Sequence, residues 1–350
     1  MSISAIKNQP IPSHDSSQIK VAFLDVGQGD SIVIILPDSQ SAILIDSAPG
    51  QTVTNFLLQH DIKYLPLALI THMHYDHMGS MLDTLRGFGG KIGMLVCNID
   101  KTLPSNANEK RKYRNFLREL AGYERLGHIK RKNALAPMSE EYSGIKISIL
   151  HPEDADLNDA LASGKPNNAS VVLRLEYCKH AILLPGDLES QGWQLLMARN
   201  PKLSADIFKL PHHGGDFTKE KGNLQTSEAN KLIAEINPQV IIISVGTNNR
   251  NNHPASNIIE YFRETQPKSR ILCTQATHRC HDNPANLRGE ILPLISEMCN
   301  NGSSHDDKKA CPCAGTIIAH INNSNLLIVP SAEEHYKVIS SFSRPQCVPK

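Results

Sequence analysis

From residue 21 onward the chain reads as short aliphatic and β-branched runs broken by turn-forming residues. Residues 21–26, 31–37 and 42–47 are such runs, separated by Gly27-Gln28-Gly29-Asp30 and by a polar turn at 38–40, and they predict antiparallel strands. A helix is expected over about 52–60. Residues 67–72 then read as a buried strand that delivers His72 at its C-terminal end. Between 109 and 132, Tyr113, Phe116, Leu117, Leu120, Tyr123 and Leu126 recur at helical spacing. Further strands are expected at 145–150, 171–177, 180–187, 205–211, 240–246 and 270–275, with helices near 190–198, 227–236 and 256–264. Runs at 314–321 and 325–330 flank a polar turn as a hairpin. Two β-rich stretches, each interleaved with helices, predict an α/β protein built as a four-layer αβ/βα sandwich with the helices outside.

Composition narrows the function classes. Of 350 residues, 40% are hydrophobic and 20% charged, the profile of a globular protein. A formal charge of +1 gives no global attraction to polyanions, so a nucleic-acid partner needs a local patch. One exists within the predicted helix: residues 110–132 carry nine lysines or arginines against Glu119 and Glu124. A solvated helix face explains this surplus as well as a phosphate-binding surface does.

Residues 1–19 lack the basic start and apolar run of a secretory signal and read as a flexible arm. No apolar run is long enough for a membrane span, so a cytoplasmic protein without a membrane partner is expected. One catalytic domain is expected over 20–335, with a cysteine-rich insertion at about 276–312 and a C-terminal tail over 336–350.

The densest chemistry is His72-x-His74-x-Asp76-His77. Three imidazoles and a carboxylate within six residues are costly to bury unless paired or bound to metal. Alternation in an extended segment turns His72 and His74 the same way, and the curl into a helix allows Asp76 and His77 to face a second ion. Imidazole with carboxylate suits zinc, manganese or iron.

This cluster, with Asp46 at a strand end, Asp187 and His212-His213, resembles the metallo-β-lactamase superfamily over about residues 20–330. Within it, the segments 23–31, 167–170, 211–215 and 244–254 resemble the hydrolase domain of the ComEC-type DNA-uptake branch, here without a membrane portion, and are similar to choline-phosphate esterases. The resemblance implies that His72 and His74 hold one metal. Asp76, His77 and His213 hold the other, and Asp187 bridges both. His212 competes with His213 for the ligand role. One departure is that Asn167, Asn168 and Ser170 stand where the superfamily commonly supplies a further histidine. His128, His151 and His180 are nearby alternatives, each better read as an ordinary histidine.

Two divalent ions, zinc or manganese, about 4 Å apart would acidify a bridging water and polarise a phosphoryl group. Asp76 would orient that nucleophile, and His212 or His253 would protonate the leaving group or grip a phosphate oxygen. Asp30, Asn168, Ser170, Asn248, Asn249 and His253 are the candidate substrate-binding groups. The expected function is a phosphodiesterase or nuclease acting on nucleic acid or a nucleotide. The alternatives are a small-molecule hydrolase (cyclic nucleotide, choline-phosphate ester, lactone or thioester) and a non-catalytic metal-binding regulator.

Eight cysteines without a signal sequence read as thiols or metal ligands rather than a disulfide framework. Cys97, Cys178 and Cys347 are scattered and read as structural. Cys273, Cys280, Cys299, Cys311 and Cys313, beside His281, match no standard zinc ribbon, yet four of them could share one structural zinc.

Overall fold

The computed structural model describes residues 18–89, 91–100, 104–217 and 226–347. Two mixed sheets form its centre. The first has eight strands, in the order Leu326–Val329, Ile317–Ile321, Ile19–Phe23, Ile32–Ile35, Ser41–Ile45, Tyr64–Leu69, Ile92–Val96 and Lys130–Lys132. The second has seven, in the order Arg270–Cys273, Val240–Ile243, Ile207–Lys209, His180–Leu184, Val172–Tyr177, Ile145–His151 and Met138–Tyr142.

Strand alternation assigns each side chain to a layer. Val21, Phe23, Ile32 and Ile34 of the first sheet meet Ile147, Leu173, Ile182 and Ile242 of the second in the core between them. Their neighbours Ala22, Val33, Leu183, Phe208 and Ile241 point outward beneath helices. Phe208 packs against Trp193 of helix Ser190–Ala198 and Phe262 of helix Ser256–Thr265, at ring-centroid distances of 6.4 and 6.3 Å. Strands buried on both faces explain why the sequence gives continuous aliphatic runs instead of clean alternation.

The parallel strands carry the site. In the first sheet Ser41–Ile45, Tyr64–Leu69, Ile92–Val96 and Lys130–Lys132 run parallel. In the second, His180–Leu184, Ile207–Lys209, Val240–Ile243 and Arg270–Cys273 do so. Loops leaving the C-terminal ends of both sets converge, and such a crevice is where open α/β sheets place ligands.

Three sequence expectations change. The basic stretch is not one helix: it is helix Ala107–Arg125 followed by the exposed edge strand Lys130–Lys132. An edge strand of three cations also blocks sheet-to-sheet pairing, so part of the positive surplus has a structural cause. The cysteine-rich stretch expected as an insertion is the crossover from the second sheet back to the first, and it contains helices Pro284–Ile291 and Ser303–Asp306. The boundary drawn at 336 falls inside helix Ala332–Ile339, and Cys347 beyond it is buried. The expected N-terminal arm lies, apart from its last two residues, outside the described residues. Among the described residues no helix is long and apolar enough to cross a membrane.

Candidate metal centre

The strand Tyr64–Leu69 ends just before His72, and helix Tyr75–Met78 begins within the motif, so the chain turns from extended to helical between His74 and His77. His72 lies beside both His74 and His77, at ring-centroid distances of 4.6 and 4.2 Å. Asp187 enters from the end of strand His180–Leu184, and its carboxylate forms the middle of the group. It lies 3.1 Å from His77 Nε2, 3.7 Å from His213 Nε2, 3.9 Å from His72 Nε2 and 4.0 Å from His212 Nε2. Asp76 Oδ2 is 3.3 Å from His213 Nε2.

Asp76, His77, Asp187 and His213 thus bring ligand atoms within 4.8 Å of one another. His72 Nε2, His77 Nε2, His213 Nε2 and Asp187 Oδ1 are buried yet have no hydrogen-bond partner. Buried polar atoms are almost always paired, so four orphaned donors facing one space fit a divalent cation in kind and number.

The groups behind these residues fix their orientation. Asp46, at φ +59°, accepts hydrogen bonds from Thr71 N and Thr71 Oγ1, both at 2.7 Å, and pairs with His77 Nδ1 at 2.8 Å. With Nδ1 so engaged, His77 turns Nε2 toward Asp187. His213 Nδ1 meets Ser244 O at 3.0 Å, which aims its Nε2 in the same way. Gly29 is obligatory: at φ +138° its backbone passes so close that a Cβ would lie 2.4 Å from Asp76 O.

Electrostatics follow from the crowding. Burial alone would raise the Asp187 carboxyl, but His77 and His213 hold it well below the usual carboxylate range. Asp76 is also lowered against its burial, chiefly by His213 and His77. Burial pushes His72 well down and His74 and His212 down, leaving neutral imidazoles, the form that binds metal. His253 is pushed down to about 4 by burial and then by His212 and His213. Its ring is 5.2 Å from that of His212. As a neutral imidazole at physiological pH it can donate a hydrogen bond.

The other expected substrate-binding groups make contacts within the protein, although Asp30 Oδ1 and Asn168 Nδ2 are buried without a hydrogen-bond partner. Asp30 is buried in an ion pair with Lys209 Nζ. Asn168 Oδ1 accepts from Gly192 N at 3.0 Å, and Ser170 Oγ accepts from Asp187 N at 3.2 Å. Both brace the centre from behind. Asn248 Nδ2 donates to Lys309 O at 2.9 Å, while Asn249 closes its own loop through His253 O and Gly246 O. His151 is buried against Asp156 and the Asn168 carbonyl, and His128 and His180 also lie outside the group. Of the five cysteines expected to share a structural zinc, Cys313 alone belongs to a close group of three or more possible ligands among the described residues.

Sequence reading missed Glu189 and Lys209. Glu189 Oε1 lies 3.5 Å from His212 Nδ1 and accepts from Asn167 Nδ2 at 2.7 Å. Its signal was an acid two residues after Asp187; that of Lys209 was a lone cation ending an apolar strand. In front of the centre a cleft of about 850 Å³ is lined by Met73, His74, Tyr75, Asp76, Lys165, Asn167 and Glu189, among others.

A family model described as Metallo-beta-lactamase superfamily matches residues 24–218, more than half of the chain. The chain belongs to the metallo-β-lactamase superfamily, a hydrolase family. Among curated proteins this superfamily member is 28% identical over 267 residues to ComE operon protein 3 of Bacillus subtilis, covering 71% of this chain and 31% of that protein. It is 24% identical over 247 residues to Recombination protein 2 of Haemophilus influenzae, covering 69% of this chain and 26% of that protein. The chain therefore spans about a third or less of these relatives. Among solved structures, the metallo-β-lactamase fold protein YhfI of Bacillus subtilis matches at TM-score 0.42 and 10% identity, over 73% of this chain and 96% of that one.

Proposed function

We propose that this metallo-β-lactamase superfamily member hydrolyses phosphodiesters with two divalent ions, zinc or manganese, and that its substrate is nucleic acid. The observation that carries the reading is where the basic helix meets the candidate centre. Lys112 lies 4.9 Å from the centroid of the Tyr75 ring and hydrogen-bonds to its hydroxyl, and Tyr75 stands between His74 and Asp76 at the cleft. Arg111, Lys112, Arg114 and Arg118 are exposed along that helix, so a polyanion drawn to it arrives beside the reacting groups. The cleft lining also includes Asp100, Glu109 and Glu189, which makes the helix the source of attraction. The similarity to a relative named Recombination protein 2 supports the same class.

His72, His74, Asp76, His77, Asp187 and His213 would hold the metals, with His212 beside them. Bound there, the ions would supply Lewis acidity toward a phosphoryl oxygen and acidify water for attack. Asp76, whose side chain is 35% exposed, accepts a hydrogen bond from the incoming water and orients it. His212, steadied by Glu189, and neutral His253 donate hydrogen bonds to phosphate or leaving-group oxygens. A cleft of about 850 Å³ is also in the range of small-ligand sites, which favours a small phosphodiester as the second reading.

The test is a panel of labelled DNA and RNA oligonucleotides and bis(p-nitrophenyl) phosphate, with added manganese or zinc. Asp187→Asn should abolish turnover. Reversing Arg111, Arg114 and Arg118 to glutamate should raise KM for oligonucleotides tenfold or more and leave the small diester unaffected. Turnover of the small diester without any polymer cleavage selects the second reading. Full metal loading without turnover of either sinks both.

A further inference from the structure

The crossover that returns from the second sheet to the first gathers a separate set of soft donors. Cys313 Sγ lies 3.3 Å from His335 Nε2, and Cys347 Sγ lies 3.5 Å from Cys273 Sγ. The donor atoms of Cys313, His335 and Cys347 all fall within 4.8 Å of one another. These residues come from four pieces of chain: the end of strand Arg270–Cys273, the segment after Pro312, helix Ala332–Ile339 and the stretch beyond it. All four are buried, none more than 5% exposed.

Geometry discriminates between packing and ligation. Around a tetrahedral zinc with Zn–S near 2.3 Å and Zn–N near 2.0–2.1 Å, neighbouring sulfurs stand about 3.8 Å apart and sulfur and nitrogen about 3.5 Å. The Cys313–His335 separation of 3.3 Å is close to that of a liganded pair, and Cys273, 3.5 Å from Cys347 but outside the group of three, would have to move inward to serve as the fourth ligand. Cys280, Cys299 and Cys311 instead meet oxygen partners at Thr277, Ser296 and Pro312.

The surroundings fit a charged site. Three thiolates around a divalent ion leave one net negative charge, and two arginines flank the group. Arg270 Nη2 donates to Pro330 O and Ser331 O, at 2.7 and 2.8 Å, where the His335 helix begins. Arg263 Nη2 donates to Pro345 O and Gln346 O, next to Cys347. The same guanidiniums that offset the charge brace the two segments that deliver His335 and Cys347.

We propose that Cys273, Cys313, His335 and Cys347 form a Cys3His structural zinc site that locks residues 332–347 onto the crossover. The set differs from the five clustered cysteines expected from the sequence: it drops three of them and adds His335 and Cys347, which lie far along the chain.

The test is cobalt substitution of the full chain, purified under reducing conditions. The His/Asp centre contains no thiolate, so the near-ultraviolet thiolate-to-cobalt charge-transfer band reports on the cysteine site alone. The band should reach the intensity of one cysteine-bound cobalt per chain, whatever the His/Asp centre takes up, and survive Asp187→Asn and Cys299→Ser. It should vanish in Cys347→Ser and Cys313→Ser. If those variants fail to fold, His335→Cys carries the test: a fourth thiolate should strengthen the band. Absence of the band in folded wild-type protein whose His/Asp centre takes up cobalt would overturn the proposal. So would a disulfide linking Cys347 to Cys273 or Cys313 in the protein as isolated.

Discussion

Lys209 and Asp30 form an ion pair sealed beneath the candidate centre, at 1% and 2% side-chain exposure. Removing one partner of such a pair leaves an unpaired buried charge, which costs about 3–5 kcal/mol, while an exposed pair is worth under about 1 kcal/mol. Lys209→Met, which keeps the length of the side chain, should therefore lower unfolding stability by about 3–5 kcal/mol in urea. The double variant Lys209→Met/Asp30→Leu should recover much of the loss. A single variant as stable as wild type would refute the pairing. The same residues mark what one sequence reveals at this scale. His72, His74, Asp76 and His77 were legible because their density has no cheap explanation other than metal. The contacts of Asp30, Asn168, Ser170, Asn248 and Asn249 inside the protein were not legible, because a polar residue looks the same in sequence whether it faces solvent or a distant part of its own chain.

At the scale of elements, helix Asp154–Ala162 is tied to the centre through a relay of side chains. Asp156 accepts from Arg199 Nη2 at 2.6 Å and lies 3.3 Å from His151 Nδ1, while His151 Nε2 meets Asn168 O at 2.8 Å. The neighbouring Asn167 then reaches Glu189 and, through it, His212. Burial alone would raise the Asp156 carboxyl, but hydrogen bonds from His151 and Arg199 hold it well below its ordinary 3.8. A folded-state pKa below the unfolded one gives stability that is fully present above the unfolded value and lost as pH falls toward the folded one. Asp156→Asn should therefore cost about 2 kcal/mol near neutrality. That gap from wild type should hold down to about pH 5 and close progressively as the pH drops through about 4 toward 2. A gap independent of pH would show that the carboxylate charge contributes nothing. Elements themselves were mostly legible, since strands buried on both faces announce themselves as aliphatic runs. Lys130–Lys132 did not, because edge position and not hydrophobicity makes it a strand.

The whole molecule is closed by contacts between parts of the chain far apart in sequence, and these were the least legible of all. Asp25, in the loop after the first strand, accepts from Gln275 Nε2 at 2.6 Å and from Ser304 N and Ser303 Oγ, both at 3.3 Å, and also from Ser304 Oγ. Its own N–H donates to Thr316 Oγ1 at 3.1 Å. Gly302 packs so tightly on it that a Cβ there would come within 2.3 Å of Asp25 Cβ. One fully buried carboxylate thus pins the crossover to the start of the first sheet. Asp25→Ala would strand several buried donors together, each worth about 1–3 kcal/mol when left unpaired, so a loss of about 3 kcal/mol or more is expected. Asp25→Asn keeps an acceptor oxygen and should cost less. Because Trp193 is the single tryptophan and lies fully buried over the second sheet, its fluorescence reports unfolding of the opposite half of the molecule. If the sandwich unfolds as one unit, the Asp25→Ala transition seen by Trp193 should shift to lower urea together with the transition seen by circular dichroism. A Trp193 transition that stays in place while hydrogen exchange accelerates only in residues 276–316 would mean that the crossover opens by itself. Asp25 would then fasten a local flap rather than the molecule.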